Sequence, residues 1–175
     1  MPHVEFTVAD AVRDRAALIS LNLEYMTWAF GEIEAYFAVP MNDIAGVSVN
    51  EYVAAVIDKV CGDPPPKGIF YLVYVDGGLA GMGGLRYLRK GTAEIKRIYF
   101  SPQYRGNKLG ERMLRRLLSD AGAFGYERAL LDSAPFMTSA HRAYEACGFV
   151  DCAAYEETEV PVQFRERWRF MGRSL

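Results

Sequence analysis

The feature that most constrains the fold of this sequence is a strand, a glycine-bearing turn and a long helix at residues 93–121. Residues 93–100 mix β-branched and aromatic side chains in near alternation, which predicts a half-buried strand. Pro102 ends the strand, because proline cannot donate a hydrogen bond to a sheet. From Leu109 to Ala121, apolar residues recur at helical spacing and charged residues fill the opposite side. This pattern predicts an amphipathic helix packed on a sheet.

The turn between the strand and the helix is a candidate anion site. The first N–H groups of a helix have no partner within it, and they lie at the positive end of the helix dipole. Arg105 and Lys108 add two positive charges beside the glycines of the turn. A pyrophosphate is the natural occupant of such a turn. On these residues alone, a plain connection whose glycines only allow the bend is an equal alternative.

Two motifs resemble those of the GCN5-related N-acetyltransferases, the GNAT superfamily. Residues 94–111 read EIKRIYFSPQYRGNKLGE, and in that family the pattern Arg/Gln-x-x-Gly-x-Gly/Ala wraps the pyrophosphate of coenzyme A. Here Lys108 stands where the family has its middle glycine. About thirty residues further on, residues 140–149 resemble A-x-x-x-Y-E-x-x-G-F. The coenzyme A contacts that the resemblance implies are Ile98, Tyr99, Phe100, Arg105, Gly106, Asn107, Lys108, Leu109, Gly110 and Glu111.

The resemblance also implies the architecture. It predicts an α/β fold, the GNAT fold, as one domain over residues 1–175. A mixed central sheet of about seven strands would be splayed between strands 4 and 5, with about four helices on its two faces. The residues agree, since an Asp-Gly-Gly turn at 76–78 predicts a hairpin and residues 128–132 predict a short buried strand. Residues 149–154 and 164–171 are interpreted as a closing antiparallel pair.

The activity that the resemblance implies is N-acetylation that depends on acetyl-CoA. The acceptor would be a primary amine on a small molecule, peptide or protein, and it would attack the thioester directly in a ternary complex. An amine with a pKa near ~10.4 is mostly protonated at pH 7, so a general base is needed. The alternative function is a non-catalytic acyl-CoA-binding or regulatory module that kept the fold.

Two carboxylates are candidates for the general base. Glu94 shares a face with Ile98 and Phe100 under strict strand alternation, and it resembles the catalytic glutamate of the histone-acetylating branch. Asp132 ends the parallel strand, where α/β folds place ligands, and it matches the glutamate of the branch that acetylates ribosomal proteins. Glu94 could instead pair with Lys96, Arg86 or Arg89, and Asp132 could be a turn aspartate before Pro135. Both candidates stay open.

Tyr144 resembles the motif tyrosine that acts as general acid near the sulfur of coenzyme A. The alternative is a core tyrosine, because Tyr144 lies on the apolar face of its helix. Cys147 lies on the same face and is expected to behave as a small hydrophobe. Transfer through a cysteine thioester is therefore not expected.

Composition and charge argue against binding of nucleic acid, a membrane span and a metal site. The formal net charge is −2, with no run of lysines or arginines, so binding of nucleic acid has no electrostatic basis. No apolar run approaches the roughly 20 residues that span a bilayer, and no signal peptide is recognisable. A cytoplasmic protein without a membrane partner is expected. Three cysteines and two histidines without metal-ligand spacing predict no metal site.

The identity of the acceptor is left open by the sequence. In the family, the segment between the first two helices, here residues 28–49, commonly forms one wall of the acceptor site. Acidic residues in the loop at 154–164 hint at a cationic amine, with a solvated loop as the alternative: Glu156, Glu157 and Glu159. GNAT proteins are often dimers, and Trp168 or Phe170 could serve a homodimer interface, although core packing explains them equally well.

Overall fold

The computed structural model describes residues 1–175 and contains seven strands and five α-helices. The strands are β1 (Val4–Val8), β2 (Ile69–Val75), β3 (Gly78–Arg89), β4 (Thr92–Phe100), β5 (Arg128–Ser133), β6 (Val150–Asp151) and β7 (Arg169–Ser174). The helices are α1 (Arg15–Phe37), α2 (Met41–Ala45), α3 (Val49–Val56), α4 (Leu109–Ala123) and α5 (Thr138–Ala146). The predicted order of elements is confirmed, and the short helix α2 is an addition to it.

The strands form one mixed sheet in the order β1-β2-β3-β4-β5-β7-β6. All neighbours are antiparallel except β4 and β5, which are parallel and share three register pairs from Thr92↔Arg128 to Glu94↔Leu130. Beyond Glu94 the two strands no longer pair, so the predicted splay between strands 4 and 5 is present. The edge of β4 that faces β5 is therefore free of a strand partner from residue 95 to residue 100.

Helices cover both faces of the sheet. Helix α4 buries its predicted apolar side against one face, in a core cluster that includes Met113, Leu117 and Ile95. Helix α1 covers the other face, where Leu18 and Leu21 pack with residues of α3, β2 and β3. The last turns of α1 cover a third cluster under the C-terminal loop. Helix α3 begins after Ser48, which forms a capping box with Glu51.

A β-bulge in β4 changes which side chains share a face. Met82 pairs with Tyr99 and Gly84 pairs with Lys96, so Arg97 and Ile98 together oppose Gly83. Arg97 has φ +57°, in the left-handed region. The extra residue inverts the alternation of the strand after this point. Strict alternation would place Glu94 on the same face as Ile98 and Phe100, and that prediction is wrong.

The two faces of β4 can be read from its contacts. Ala93, Ile95, Ile98 and Phe100 pack on the α4 side, whereas Tyr99 packs on the α1 side. Glu94 also faces the α1 side, because it binds Tyr155 of the cluster under α1. A side chain at Gly83 would meet Met113 at 2.9 Å, so the close approach of α4 to the bulge requires a glycine there.

The C-terminal segment departs from its prediction. The expected strands at 149–154 and 164–171 are reduced to two-residue β6 and to β7, and Val162–Arg167 forms a 3₁₀ helix. Tyr155 and Phe164 are the reason, because both are buried in the cluster under α1 and do not alternate along a sheet. Phe170 is 5% exposed in the same cluster. Phe170 is therefore a core residue and gives no support to a dimer interface.

Candidate active site

Glu94 lies at the last register pair between β4 and β5 and is completely buried. Its Oε2 accepts a hydrogen bond from Arg86 Nε at 2.5 Å, directly across the β3–β4 register. Its Oε1 accepts a hydrogen bond from the Tyr155 hydroxyl at 2.6 Å. The structural alternative considered for this residue, an ion pair with Arg86, is thus formed. Both carboxylate oxygens of Glu94 are occupied within the protein.

Asp132 is the second candidate base and lies near the end of β5, on the same face of the sheet. Its Oδ1 accepts a hydrogen bond from Trp168 Nε1 at 2.9 Å. Its Oδ2 lies 3.4 Å from the Tyr155 hydroxyl, whose single proton serves the shorter bond to Glu94. Burial raises the pKa of Asp132 above its ordinary value of 3.8, and the nearby negative charges of Glu94 and Glu159 raise it further.

Tyr155 thus joins the two candidate bases, and sequence reasoning did not identify it. It lies in the loop before the 3₁₀ helix, next to acidic residues that drew attention to the loop as a whole. Burial and the two neighbouring carboxylates raise the pKa of Tyr155, so its phenol stays protonated at neutral pH. The one available signal was that Tyr155 is the only aromatic residue between Phe149 and Phe164.

Tyr144 lies on α5 and packs against the core cluster on the α4 side of the sheet. Its side chain is half-buried and packs against Phe149, with ring centroids 6.2 Å apart. Its hydroxyl takes part in no side-chain hydrogen bond, and because no fully buried side-chain polar atom lacks a partner, this hydroxyl is open to solvent. Burial raises the pKa of Tyr144, and the fields of Tyr25 and Asp132 contribute in the same direction. The phenol is therefore protonated at neutral pH and close enough to Asp132 to feel its charge.

The turn between β4 and α4 has the backbone of an anion site. Gly106 has φ +90°, and a Cβ built there would have no atom within 4 Å. Lys108 caps α4 with φ +55°, the left-handed region that a glycine adopts easily. A side chain in that region costs about 1–2 kcal/mol, a cost that a glycine at this position would not have. The first N–H groups of α4, from Leu109 to Glu111, have no partner within the helix.

Arg105, one of the residues predicted to contact coenzyme A, lies with its side chain against the end of β4. Its Nε donates to the Phe100 carbonyl at 2.9 Å, and its guanidinium lies over the rings of Trp28 and Tyr99 at 5.8 and 5.6 Å. The side chain therefore turns back onto the end of β4. Lys108 is exposed, and neither Lys108 nor Arg105 forms a salt bridge, so both positive charges of the turn are without a carboxylate partner.

An aromatic wall follows the second half of α1. Trp28 and Tyr36 contact Phe136, with ring centroids 5.9 and 6.2 Å apart. Phe37 lies 4.5 Å from Phe164 by the same measure. Trp168 stacks on Phe164 and donates to Asp132, so it too is engaged inside the protein and gives no support to a dimer interface. The wall borders the carboxylate pair.

The acidic loop carries less free charge than its sequence suggests. Glu157 pairs with Arg89 at 2.6 Å. Glu159 pairs with Lys96 and, at 3.3 Å, with Arg86. Two of the three acidic residues that hinted at a cationic acceptor are thus neutralised by β3 and β4.

Neither the cysteines nor metal ligands provide another reaction centre. Burial raises the pKa of Cys147 and of Cys152, and it raises the pKa of Cys61 to about 11, so all three thiols are poor nucleophiles at neutral pH. No group of three or more His, Cys, Asp or Glu side chains is arranged to bind a metal. None of the helices is both long enough and apolar enough to cross a membrane.

Comparison with known proteins gives one family. The model of the acetyltransferase (GNAT) family matches residues 27–149. Mouse N-acetylaspartate synthetase is 26% identical over 98 residues, which is 55% of this chain and 33% of that protein. An uncharacterised N-acetyltransferase of Schizosaccharomyces pombe is 29% identical over 100 residues, which is 55% of this chain and 61% of that protein. The chain thus spans between a third and three-fifths of the length of these curated relatives.

Solved structures show the same fold. The PaiA N-acetyltransferase of Thermoplasma acidophilum, solved in complex with coenzyme A, superposes with a TM-score of 0.67 at 17% identity. The match covers 99% of each chain. The predicted fold class is therefore confirmed, including the mixed sheet with its parallel β4–β5 pair.

The raised pKa of Asp132 predicts a pH-dependent stability. The unfolded chain releases this proton near pH 3.8, whereas the folded protein holds it to higher pH. Wild type should therefore lose stability relative to Asp132→Asn as the pH rises from about 4 through the folded pKa, and the difference should then stay constant. The asparagine can still accept the Trp168 hydrogen bond. Urea unfolding at a series of pH values measures this difference.

Asp151→Asn is the matched control for this titration. A hydrogen bond from Arg169 lowers the pKa of Asp151, so wild type should be the more stable protein at neutral pH and should lose that advantage as the pH falls below about 4. A difference in the free energy of unfolding between wild type and Asp132→Asn that is constant from pH 4 to pH 8 would contradict the raised pKa of Asp132.

Proposed function

Because the chain belongs to the GNAT family of acetyltransferases, we propose that it moves the acetyl group of acetyl-CoA to a primary amine by direct attack in a ternary complex. The observation that carries the proposal is the cleft that opens where β4 and β5 stop pairing beyond Glu94, with Asp132 near the end of β5 and Tyr144 on α5, the element that follows β5. One group there can accept a proton and the other can donate one. The buried cysteines, whose pKa values are raised, offer no covalent route in its place.

The residues present fit acetyl-CoA as co-substrate. The free backbone edge of β4, at Ile98, Tyr99 and Phe100, would hold the pantetheine arm and the acetyl carbonyl. The exposed turn would bind the pyrophosphate through N–H groups, which the open space at Gly106 leaves accessible. The groups proposed for this contact are Gly106, Asn107, Lys108, Leu109, Gly110 and Glu111. Lys108 would add a point charge, while Arg105 would support the end of β4.

Asp132 is the general base in this proposal. Its Oδ2 has a single contact in the protein, at 3.4 Å, and its raised pKa brings its basicity closer to that of the amine. Glu94 is a positioning residue, because both its oxygens are engaged and it has no exposed surface. The Tyr155 hydroxyl lies between the two carboxylates, so the negative charge of Glu94 is close to Asp132.

Tyr144 is the general acid. Breaking the thioester releases a thiolate, which needs a proton, and a phenol with a raised pKa keeps its proton until that charge develops. The absence of a protein partner for its hydroxyl leaves that group available. The acceptor ammonium group loses two protons in becoming an amide. Asp132 takes the first and passes it to solvent, and the second, lost as the C–S bond breaks, replaces the proton that Tyr144 gives to the thiolate, so one proton is released overall.

The acceptor belongs to the class of primary amines. The name of the mouse relative refers to an acetylated amino acid, so amino acids belong in any panel of acceptors alongside polyamines and peptides. The aromatic wall along α1 and the loop around Tyr155 border the carboxylate pair and are the proposed walls of the acceptor site.

Binding of acetyl-CoA is the first test. Gly106→Asp places a carboxylate against the proposed pyrophosphate and should weaken binding roughly 100-fold, whereas Gly106→Asn imposes the same left-handed strain without the charge. Calorimetric titration of wild type and both variants, with circular dichroism to confirm folding, measures the effect. Equal loss in both variants would assign the effect to strain, and absence of binding to folded wild type would overturn the proposal. Binding without turnover of any amine would favour the non-catalytic module.

The two carboxylates should differ in their kinetic effects. Asp132→Asn should lower kcat by about 10²–10⁴ in a thiol-release assay, with little change in KM for acetyl-CoA. Glu94→Gln should mainly lower stability, since it leaves Arg86 without its buried partner, and should keep more activity per folded molecule. An inactive, folded Glu94→Gln beside an active Asp132→Asn would reverse the assignment.

Tyr144→Phe should lower kcat by roughly 10²-fold while leaving acetyl-CoA affinity and melting temperature close to wild type. The hydroxyl makes no hydrogen bond within the protein, so its removal leaves no group unsatisfied. An unchanged kcat with a lowered melting temperature would instead make Tyr144 a core residue.

A further inference from the structure

A cavity of about 300 Å³ opens on the α1 side of the sheet, beside the bulge in β4. Its walls come from α3, β3, β4 and the loop that carries Tyr155. Four cations face it, with one acid among them. These charged residues are Lys59, Arg86, Lys96, Arg97 and Glu159. The cavity thus presents a net positive charge to a ligand.

The cations differ in whether the protein already neutralises them. Arg86 pairs with Glu94 and Glu159, and Lys96 pairs with Glu159. Arg97 is half-buried and has no carboxylate within 4.0 Å. A half-buried charge without a counterion is unfavourable unless a ligand supplies one. Arg97 therefore stands out among the side chains of the cavity.

Arg97 is also held in place by a neutral group. Its guanidinium donates to Asn22 Oδ1 at 2.9 Å and contacts Met26 sulfur at 3.7 Å. Asn22 is completely buried, and its amide donates to the Leu18 carbonyl at 2.8 Å. An asparagine amide orients the guanidinium without neutralising it. Most of the five N–H donors of Arg97 remain free, in the fork geometry that suits a carboxylate.

The position of Arg97 relates the cavity to the reaction. It is the bulged residue itself, and it precedes Ile98, on which the acetyl carbonyl is proposed to rest. It shares the α1 face of the sheet with Glu94, Tyr155 and Asp132. An acceptor held at Arg97 would therefore lie on the side of the sheet from which the proposed base works.

We propose that the acceptor carries a carboxylate beside its amine, and that Arg97 binds this carboxylate in the cavity. The substrate class is then an amino-carboxylic acid, which reverses the cationic amine suggested by the acidic loop. This inference rests on the proposed function and adds the acceptor class to it. Arg97 binds the acceptor equally in the ground state and in the transition state, so its contribution appears mainly in KM.

The test compares amines that differ only in the carboxylate. The thiol-release assay is run with amino acids, with their carboxamides, and with phosphoethanolamine as a phosphate-bearing amine. Wild type should use the best amino acid with a kcat/KM at least tenfold above that of its carboxamide and of phosphoethanolamine. Arg97→Gln should lose about 10- to 100-fold on the acid, mainly in KM, and should treat acid and amide alike. Arg97→Lys keeps a point charge, so its kcat/KM for the acid should lie between the values for wild type and for Arg97→Gln.

Arg89→Gln is the matched control, because Arg89 lies on β3 outside the cavity and pairs with Glu157. It should leave the preference for acids unchanged. Calorimetric binding of acetyl-CoA to Arg97→Gln should match wild type, which separates loss of the acceptor from loss of the cofactor. A preference for carboxamides or for phosphoethanolamine in wild type, or a preference for acids that persists in Arg97→Gln, would overturn the inference and leave the proposed function standing.

A second readout keeps the inference testable where no amine is acetylated. The same amino acids and carboxamides are titrated calorimetrically into the complex of the protein with coenzyme A. Binding that requires both the carboxylate and Arg97 would support the acceptor site even though the proposed function had failed. Absence of carboxylate-dependent binding to wild type would overturn the inference.

Discussion

Strands β4 and β5 can separate beyond Glu94 because each makes its remaining contacts elsewhere. β4 keeps its antiparallel ladder with β3 as far as Phe100, and β5 is paired along its length with β7. Each strand thus retains one full partner while the edges that face each other lose theirs. The resulting cleft leaves backbone groups of β4 without a strand partner in the middle of an otherwise continuous sheet. Every group proposed to bind acetyl-CoA or to transfer a proton lies along this cleft or at its ends.

Two residues with strained backbone conformations lie beside the same cleft. Arg97 and Lys108 are two of the four non-glycine residues with positive φ, and they lie at the bulge and at the start of α4. Such conformations persist where the surroundings hold them, and they are common at functional sites. The buried Asn22 holds Arg97, and the ordered start of α4 holds Lys108. Each side chain is thereby kept at the cleft in a position that a relaxed strand or turn would not give it.

Local sequence signals predicted the frame of the fold and part of the site. The strand, turn and helix at 92–123 and the hairpin at 76–78 follow from residues that are neighbours in sequence. The bulge did not follow, because two-residue alternation carries no sign of an inserted residue, and Ile98 and Phe100 were therefore wrongly assigned to the face of Glu94. Tyr155 was missed for another reason. Its role depends on contacts with Glu94 and Asp132 across a loop that contains little regular structure.

The two candidate bases have different properties because their partners differ. Glu94 faces Arg86 across one strand register and receives the Tyr155 proton, so its charge is satisfied inside the protein. Asp132 is largely buried and lies beside that charge, so its own ionisation is disfavoured, although the hydrogen bond from Trp168 and the charge of Lys96 act in the opposite direction. A carboxylate that resists ionisation binds a proton more tightly, which is what a base acting on an ammonium group requires. The sequence left Glu94 and Asp132 both open as the general base, and the ion pair of Glu94 with Arg86 is what distinguishes them.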